Sequence, residues 1–337
     1  MSEIVQISFP GLGIEPFTVN KVAFEVFGID VRWYGVVIVL GMIMAFGYAM
    51  FRSKQEGFTW DDVIDMGLYI VIFGVIGARM YYVIMKWDTF WVTGRGLLDN
   101  LGAILNIRGG GLAIYGGVIA GALTIILYSK IKKRAWLAAM DMVAPGVMLA
   151  QAMGRWGNFF NGEAYGAIVP EDHVLYFLRM GLYPNKLIPG EMAYVHPTFL
   201  YESFWNLLGF ALINLWLYRR KKFNGQIAMS YFAWYGFGRM LIEGLRTDSL
   251  YIGSIRVSQL VGGLCFVIFT ALILYRLDAI RRAKADEEGE QYVPMYSTAT
   301  PMQAGEAKEE AADDAASEEQ LPADTSDDQT NQPTNQE

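Results

Sequence analysis

Residues 136–153 read WLAAMDMVAPGVMLAQAM, and residues 154–163, GRWGNFFNGE, follow without a break. The first stretch is apolar enough to cross a bilayer, and the second places Arg155 and two asparagines at its edge. A charged side chain at mid-bilayer costs about 2.5–3.5 kcal/mol on insertion scales, so such residues usually face a cavity and bind a ligand. Because an arginine guanidinium pairs with phosphate oxygens, the nearest candidate ligand in a membrane is a phospholipid headgroup.

The whole chain has the composition of a protein that crosses a membrane several times. Of its 337 residues, 53% are hydrophobic and 36 are glycine. Residues 285–337 hold 15 acidic residues and one lysine, so they carry −14; since the formal charge is −7, the remainder carries +7. The acidic tail argues against a nucleic-acid surface, and the basic remainder fits anionic lipid. Two histidines and one cysteine without a Cys/His cluster predict no metal site.

Seven segments are long and apolar enough to span a membrane, so the sequence predicts an all-α polytopic membrane protein. They are residues 34–51, 63–85, 112–128, 136–153, 199–218, 227–242 and 257–275. Basic residues follow each odd-numbered segment, within residues 52–54, 130–134, 219–222 and 276–284. By the positive-inside rule these clusters are cytoplasmic, which places the N-terminus outside and the C-terminus inside.

This topology divides the chain into two parts. Residues 1–284 are predicted to form the membrane domain, and an insert at about 160–197, which contains four prolines, is expected to form a small extracytoplasmic head. Residues 285–337 are rich in acidic and small polar residues and poor in aromatics, so we predict a disordered cytoplasmic tail.

Four polar residues share one face of the sixth segment. Tyr235, Arg239, Glu243 and Arg246 are spaced by four, four and three residues, so at about 100° per residue they fall within an arc of about 80°. One interpretation is an internal ion-pair ladder that holds helices together. The other is the wall of a polar groove, which we favour because a ladder needs only one arginine for each carboxylate.

The fourth segment carries a similar face. Gln151, Arg155 and Asn158 lie on one side of it, with Asn161 and Glu163 just beyond. The asparagines are interpreted as orienting lipid oxygens, with helix capping as the alternative.

Two further residues and one glycine-rich run also have alternative interpretations. Arg79, in the outer half of the second segment, either snorkels to the interface or joins the other arginines. His196, before a proline, is either a proton acceptor or a hydrogen-bonded structural residue. The glycines around Tyr115, in residues 110–117, lack the strand and the Lys-Ser/Thr pair of a nucleotide loop, and they predict close helix packing.

Taken together, these motifs resemble the prolipoprotein diacylglyceryl transferase family. The most specific is G-R-x-G-N-F-x-N-x-E-x-x-G at residues 154–166, which is similar to the diagnostic motif of the family. Supporting motifs lie at residues 32–35, 77–82, 110–117, 196–202 and 235–246, in the order of the family. The resemblance implies transfer of the diacylglyceryl group of phosphatidylglycerol to the thiol of a prolipoprotein lipobox cysteine in the bacterial cell membrane. It implies no metal or other cofactor.

The resemblance also implies roles for individual residues. Arg155 and Arg239, with Arg246 as a third, are expected to bind the departing phosphate, and Glu243 to hold Arg239 in place. Phosphatidylglycerol would further contact Tyr34, Asn158, Gly166 and Tyr235. The supporting residues are Arg79, Asn161, Glu163 and Glu202.

The residue that takes the proton from the thiol stays open. Tyr115 stands where some family members carry a histidine that has been suggested as the base, and a phenol with a pKa near 10 is a poor acceptor. The alternatives are Tyr115 as a relay, His196 or Glu202 as the base, or no dedicated base, with arginines lowering the pKa of the thiol. We favour the last.

Two other classes of protein compete with this interpretation. A lipid or solute transporter would bind headgroups during passage, and is expected to show an internal repeat that the sequence does not reveal. An alcohol-phosphatidyl transferase would need paired Asp-Gly metal motifs, which the sequence lacks.

Overall fold

The computed structural model describes residues 3–107, 110–247, 249 and 251–288, and most of these residues are helical. The described residues up to Ile273 form one compact unit, and residues 274–288 are assigned to a second unit. Residues 285–288, the start of the predicted disordered tail, are helical. The rest of the tail, from residue 289 onward, lies outside the described residues, so its disorder stays a prediction, as does the division at residue 284.

Nine α-helices occur in the described residues. They are α1 (Trp33–Ser53), α2 (Trp60–Met85), α3 (Trp87–Phe90), α4 (Leu97–Leu105), α5 (Ile114–Ile131), α6 (Trp136–Asn161), α7 (Thr198–Leu212), α8 (Gln226–Ile242) and α9 (Val257–Glu288). Five of these helices, α1, α2, α5, α6 and α9, are long and apolar enough to cross a membrane. The predicted class, a mostly helical membrane protein, is therefore confirmed.

The two remaining predicted spans coincide with shorter helices. The fifth segment covers α7, of 15 residues, which continues into a π-helical turn, Ile213–Leu217. The sixth segment coincides with α8, of 17 residues. Seven spans therefore remain a prediction, supported by five helices that meet the length and composition of a span.

The ends of α2 and α6 follow from local chemistry. Thr59 caps α2, because its hydroxyl accepts from the Asp62 N–H at 3.1 Å and the Asp62 carboxylate accepts from the Thr59 N–H at 3.0 Å. Helix α6 ends where Gly162 adopts a left-handed φ of 62°. The last two turns of α6 thus carry the 154–161 motif.

Short strands depart from the all-α prediction. They are β1 (Ile4–Phe9), β2 (Ile14–Asn20), β3 (Val22–Val26), β4 (Ile29–Arg32), β5 (Met180–Tyr183), β6 (Ala193–Val195), β7 (Tyr251–Ile252) and β8 (Ile255–Arg256). Four of them form an antiparallel sheet in the order β2-β1-β5-β6, which joins the N-terminal residues to the predicted insert. Ile7, Leu182 and Val195 are fully buried in its core, against Phe199 of α7. The sheet forms because burying these apolar residues offsets the cost of pairing distant segments.

Candidate active site

The buried carboxylate of Glu202, on α7, forms ion pairs with three arginines. Only 4% of the Glu202 side chain is exposed, and its Oε2 lies 2.6 Å from Nη2 of Arg155. Its Oε1 lies 2.8 Å from Nη1 of Arg239 and 3.5 Å from Nη1 of Arg246. The arginines belong to α6, to α8 and to the segment after α8, so packing between helices brings them together. The predicted helical face is wrong at Arg246, because α8 ends at Ile242 and the backbone at Arg246 is extended.

A second buried carboxylate, that of Glu243, fixes one of these arginines. Its Oε2 lies 2.5 Å from Nη2 of Arg239, and 2% of its side chain is exposed. The Arg239 guanidinium therefore bridges two carboxylates, Glu202 through Nη1 and Glu243 through Nη2. The contact between Arg239 and Glu243 is the one that their i, i+4 spacing predicts.

A chain of polar contacts continues from Arg155 to the end of α6. Arg155 Nη1 donates to Asn158 Oδ1 at 3.3 Å, and Asn158 Nδ2 donates to Glu163 Oε1 at 3.2 Å. Asn161 Nδ2 donates to the same Glu163 oxygen at 3.1 Å. Both asparagine amides thus bind a carboxylate, and not the helix end as the capping alternative predicted. A continuous polar path runs from Glu243 to Glu163.

The arginine cluster, which we define as Arg155, Arg239 and Arg246 around Glu202, is largely shielded from solvent. The exposed fractions of its arginine side chains are 21%, 14% and 11%. Charge interactions are stronger in such a site than in water, and a buried charge that loses its partner is costly. The guanidiniums are therefore fixed in place before any ligand arrives, which is the condition for electrostatic stabilisation without reorganisation.

Gly166 positions the backbone next to Arg246. Its N–H donates to the His196 carbonyl at 3.0 Å, and the Ala167 N–H donates to the Leu245 carbonyl at 2.9 Å. A Cβ at Gly166 would lie 2.7 Å from His196 Cβ and 2.8 Å from the Leu245 oxygen. A side chain here would push the segment carrying Arg246 away. The structure thus gives Gly166, which was predicted to contact lipid, a role in holding the site together.

His196 is buried beside this junction. Only 3% of the residue is exposed, its Nδ1 lies 3.3 Å from the Tyr201 hydroxyl, and its ring makes an edge contact with His173 at 4.8 Å between centroids. Burial, and to a smaller extent the neighbouring His173, lowers the pKa of His196 from 6.5. These contacts favour the structural interpretation over the proton acceptor.

Tyr34 lies in the first turn of α1, against the motif on α6. A Cβ at Gly157 would lie 2.7 Å from the Tyr34 ring, so the glycine lets the ring approach the helix. Gly157 lies between Arg155 and Asn158 in the sequence of α6. The structure therefore brings Tyr34 to the part of α6 that carries the polar path.

Tyr235 lies on α8, one turn before Arg239. Its ring stacks on that of Tyr231 at 6.0 Å between centroids. The Tyr231 hydroxyl accepts from Gln151 Nε2 at 3.0 Å, so α6 and α8 are joined at this level. The two polar faces that the sequence predicted separately thus meet.

Arg79 belongs to a different part of the structure. It is 7% exposed, and its guanidinium lies 4.8 Å from the centroid of the Phe90 ring. All five of its N–H donors are used by backbone carbonyls, at 2.8–3.0 Å. These carbonyls belong to Ala103, Ile104, Asn106, Gly110 and Gly111. Arg79 neither snorkels nor joins the arginine cluster: it clamps the end of α4 and the loop that follows.

Tyr115 lies near this clamp, in the first turn of α5. It is 43% exposed, and among the described residues its ring contact is with Tyr81 of α2, at 6.5 Å between centroids. Arg79 on α2 and Tyr115 on α5 therefore form a second group of predicted residues, apart from the polar path on α6, α7 and α8.

The roles of two residues of the site were not predicted from the sequence. Glu202 was predicted as a supporting residue and as one alternative for the base, and its position as the shared partner of three arginines was not predicted. Arg256 was not identified: its Nη1 donates to the Glu243 carbonyl at 2.6 Å, and its Nε donates to the Tyr251 hydroxyl at 2.8 Å. It lies in a two-residue strand after α8, where no periodicity marks it.

The polar path has the chemistry of an anion site. Guanidinium and amide groups lie along it, with the phenols of Tyr34 and Tyr235 beside it. The planar guanidinium group of arginine can donate two parallel hydrogen bonds to phosphate oxygens. The buried carboxylates hold the forks in position, since each is already bonded to arginine. The arrangement suits a phosphodiester on which charge develops as a bond breaks.

Comparison with known proteins identifies the family. Residues 21–275 match the family model described as prolipoprotein diacylglyceryl transferase. Three relatives are named phosphatidylglycerol–prolipoprotein diacylglyceryl transferase. That of Finegoldia magna is 42% identical over 272 residues, which cover 80% of this chain and 100% of the relative. Those of Listeria innocua and Clostridium botulinum are 41% and 42% identical, covering 79% and 77% of this chain and 92% and 97% of the relatives. The resemblance found in the sequence is confirmed, and the chain belongs to the prolipoprotein diacylglyceryl transferase family.

Proposed function

We propose that this enzyme transfers the diacylglyceryl group of phosphatidylglycerol to the thiol of the lipobox cysteine of a prolipoprotein, the first step of bacterial lipoprotein maturation. The observation that carries the proposal is the arginine cluster, in which three guanidiniums converge on Glu202. The names of the relatives supply the substrates, and the polar path supplies groups of matching chemistry.

The reaction is a displacement at an sp³ carbon. The cysteine sulfur attacks the glycerol carbon that bears the phosphate ester, a thioether forms, and the carbon–oxygen bond breaks. The electron pair of that bond stays on the phosphate oxygen, so glycerol-1-phosphate leaves with added negative charge. Arg155 and Arg239, with Arg246 as a third contributor, stabilise this charge most strongly in the transition state.

The remaining predicted contacts receive matching roles. Asn158 and Tyr235 orient oxygens of the headgroup, and Tyr34 contacts it from α1. Glu243 and Glu202 hold the arginines, and Gly166 keeps the segment carrying Arg246 in place. Support comes from the contacts of Arg239 with Glu243 at 2.5 Å and with Glu202 at 2.8 Å. The hydrogen bond between Arg155 and Asn158 supports the role of Asn158.

We further propose that no dedicated base removes the thiol proton. Both oxygens of Glu202 are already occupied by guanidiniums, and His196 is buried with its Nδ1 beside a hydroxyl. Tyr115 lies with the second group of residues, beside Tyr81. Neighbouring cations favour the thiolate, so the arginine cluster itself lowers the pKa of the incoming thiol, and the thiol proton passes to water before the sulfur attacks.

The five apolar helices and the bacterial relatives support a multi-pass membrane protein. We propose that α7 and α8 complete seven spans, with the N-terminus outside and the C-terminus in the cytoplasm. The sheet then forms the core of the extracytoplasmic head, and the arginine cluster lies at the outer face of the membrane. Residues 285–337 form a separate cytoplasmic tail.

One assay tests the function. Purified protein, phosphatidylglycerol and a lipobox peptide are mixed, and the peptide is weighed by mass spectrometry. Arg155→Ala and Arg239→Lys are expected to abolish the mass gain, because a lysine cannot bridge both carboxylates as Arg239 does.

Arg134→Lys is the matched control, since Arg134 pairs with Asp62 and its side chain is 41% exposed. It is expected to retain activity. Wild-type turnover in both cluster variants would contradict the proposed roles of the arginines.

A further inference from the structure

A second feature lies away from the arginine cluster, on the side of the α2 and α5 pair. It is a cavity of about 590 Å³, which we call the α2–α5 groove. Its walls are mainly aliphatic and aromatic, and include Tyr69, Phe73, Leu123 and Leu127. Its charged lining residues, Asp65 and Lys132, lie together at one end.

Contacts between α2 and α5 mark the two ends of the groove. At one end the helices touch closely, since a Cβ at Gly77 would lie 2.7 Å from the Gly116 oxygen. At the other end the Tyr128 ring lies 6.2 Å from that of Tyr69, and the Tyr128 hydroxyl lies 3.3 Å from Asp62 Oδ1 and 3.4 Å from Asp65 Oδ2. The groove therefore runs from a glycine contact to a polar end.

The groove has the length of one bilayer leaflet. Its lining runs from Asp65 to Gly77 on α2 and from Ala120 to Lys132 on α5, twelve residue steps on each helix. At 1.5 Å per residue this is about 18 Å, against about 15 Å for half of the hydrocarbon core. Both helices are apolar enough to span the membrane, so the groove faces acyl chains and its charged end lies at the level of the headgroups.

The charged end suits a phosphate. Lys132 Nζ lies 3.6 Å from Asp65 Oδ2, and the two side chains are 48% and 49% exposed. An exposed ion pair contributes little stability, so Lys132 can exchange its carboxylate for a phosphate at small cost. Asp62 is engaged by Arg134 at 3.3 Å and does not compete for Lys132. Residues 130–134 include four basic side chains, which attract an anionic headgroup.

The groove is separate from the arginine cluster. Its charged end lies beside the start of α6 at Trp136, and Arg155 follows 19 residues later on the same helix. At 1.5 Å per residue the two sites are about 28 Å apart along α6, close to the thickness of the hydrocarbon core. They therefore belong to opposite leaflets.

We propose that the α2–α5 groove holds one acyl chain of a phospholipid from the leaflet opposite the arginine cluster. Lys132 binds the phosphate of this lipid, and Asp65 accepts from a hydroxyl or ammonium group of its headgroup. The lipid is a bound component of the fold, not the substrate. Phosphatidylglycerol and phosphatidylethanolamine both meet these requirements, because each carries a phosphate and a hydrogen-bond donor.

Native mass spectrometry of the full-length protein tests this proposal. The purified protein is titrated with phosphatidylglycerol, phosphatidylethanolamine or diacylglycerol, and the retained lipids are counted. Leu123→Trp fills the groove and is expected to retain one phospholipid fewer than the wild type. Ile119→Trp is the matched control, because Ile119 lies on the same helix, is 53% exposed and does not line the groove. It is expected to retain the wild-type number.

The headgroup contact has its own variant. Lys132→Gln is expected to weaken retention of phosphatidylglycerol about fivefold, the effect of one basic residue at a membrane surface, and to leave diacylglycerol unchanged. Equal counts for Leu123→Trp and the wild type, or equal losses in both tryptophan variants, would overturn the proposal. Retention of diacylglycerol as strong as that of either phospholipid would overturn the assignment of Lys132.

These results are independent of the proposed function. Any lipid bound at the arginine cluster is present in every variant, so it cancels in the comparison. Counting retained lipid requires no turnover, and transfer to a lipobox peptide can be measured on the same samples. Failure of one proposal therefore leaves the other to be judged on its own data.

Discussion

Replacing Glu202 with glutamine tests the centre of the site. The substitution keeps the shape of the side chain but removes the charge that three guanidiniums share. It also puts an N–H donor where Arg155 or Arg239 now finds an acceptor. We expect Glu202→Gln to be less stable than the wild type and to lose most of its transferase activity.

The structure sets the size of the effect. Removing one partner of a buried ion pair costs about 3–5 kcal/mol, because the remaining charge is left uncompensated. We expect the lower end, about 3 kcal/mol, since Arg239 keeps its second contact with Glu243. A displacement of about 1 Å at a positioning group reduces rates about 100-fold, so we expect kcat/KM to fall by about that factor.

The assay separates lost stability from lost positioning. Tm is measured in detergent, and transfer is measured by the mass of a lipobox peptide incubated with phosphatidylglycerol. Glu56→Gln is the matched control, because the Glu56 side chain is also 4% exposed and is paired with Lys221, near the N-terminal end of α6. It is expected to lower Tm comparably and to keep most of the activity. If Glu202→Gln turned over as fast as this control, the reasoning about the arginine cluster would be refuted.

Three further outcomes are expected. Gly166→Ala should cost about 1–3 kcal/mol of stability and lower kcat/KM, because its Cβ would lie 2.7 Å from His196 Cβ. Gly102→Ala, inside α4 with open space around it, should keep kcat/KM and leave Tm equal or higher, because alanine favours a helix more than glycine does. Equal Tm values for the two variants would contradict this reasoning. Burial lowers the pKa of His196 from 6.5, so as the pH falls the unfolded chain takes up the proton before the folded protein does. The free energy of unfolding should therefore be kept above pH 6.5 and fall as the pH drops below it. His196→Asn should flatten this part of the plot of Tm against pH, and an unchanged plot would count against the burial argument. Deleting residues 286–337 should leave transfer by the purified enzyme unchanged, and a large loss would show that the tail takes part.

Most of the long helices could be predicted from the sequence, because hydropathy and charge are local properties. Each predicted segment coincides with a helix, and the ends of α2 and α6 follow from the residues at Thr59 and Gly162. The sheet was not predicted, because β1 pairs with β5 across more than 170 residues and β5 and β6 are four and three residues long. Strands this short leave no period that a sequence pattern can show.

Motifs, hydropathy and charge were enough to predict the family, the membrane class and the residue types of the site, and also that Gln151, Arg155 and Asn158 share a face of α6. Helix geometry allows the last prediction, because 3.6 residues per turn fixes the neighbours within one helix. The folded structure was needed to show that Arg155, Arg239 and Arg246 meet at Glu202, and that Arg79 clamps a loop elsewhere. Contacts between helices depend on how whole faces pack, and no local pattern of residues carries that information.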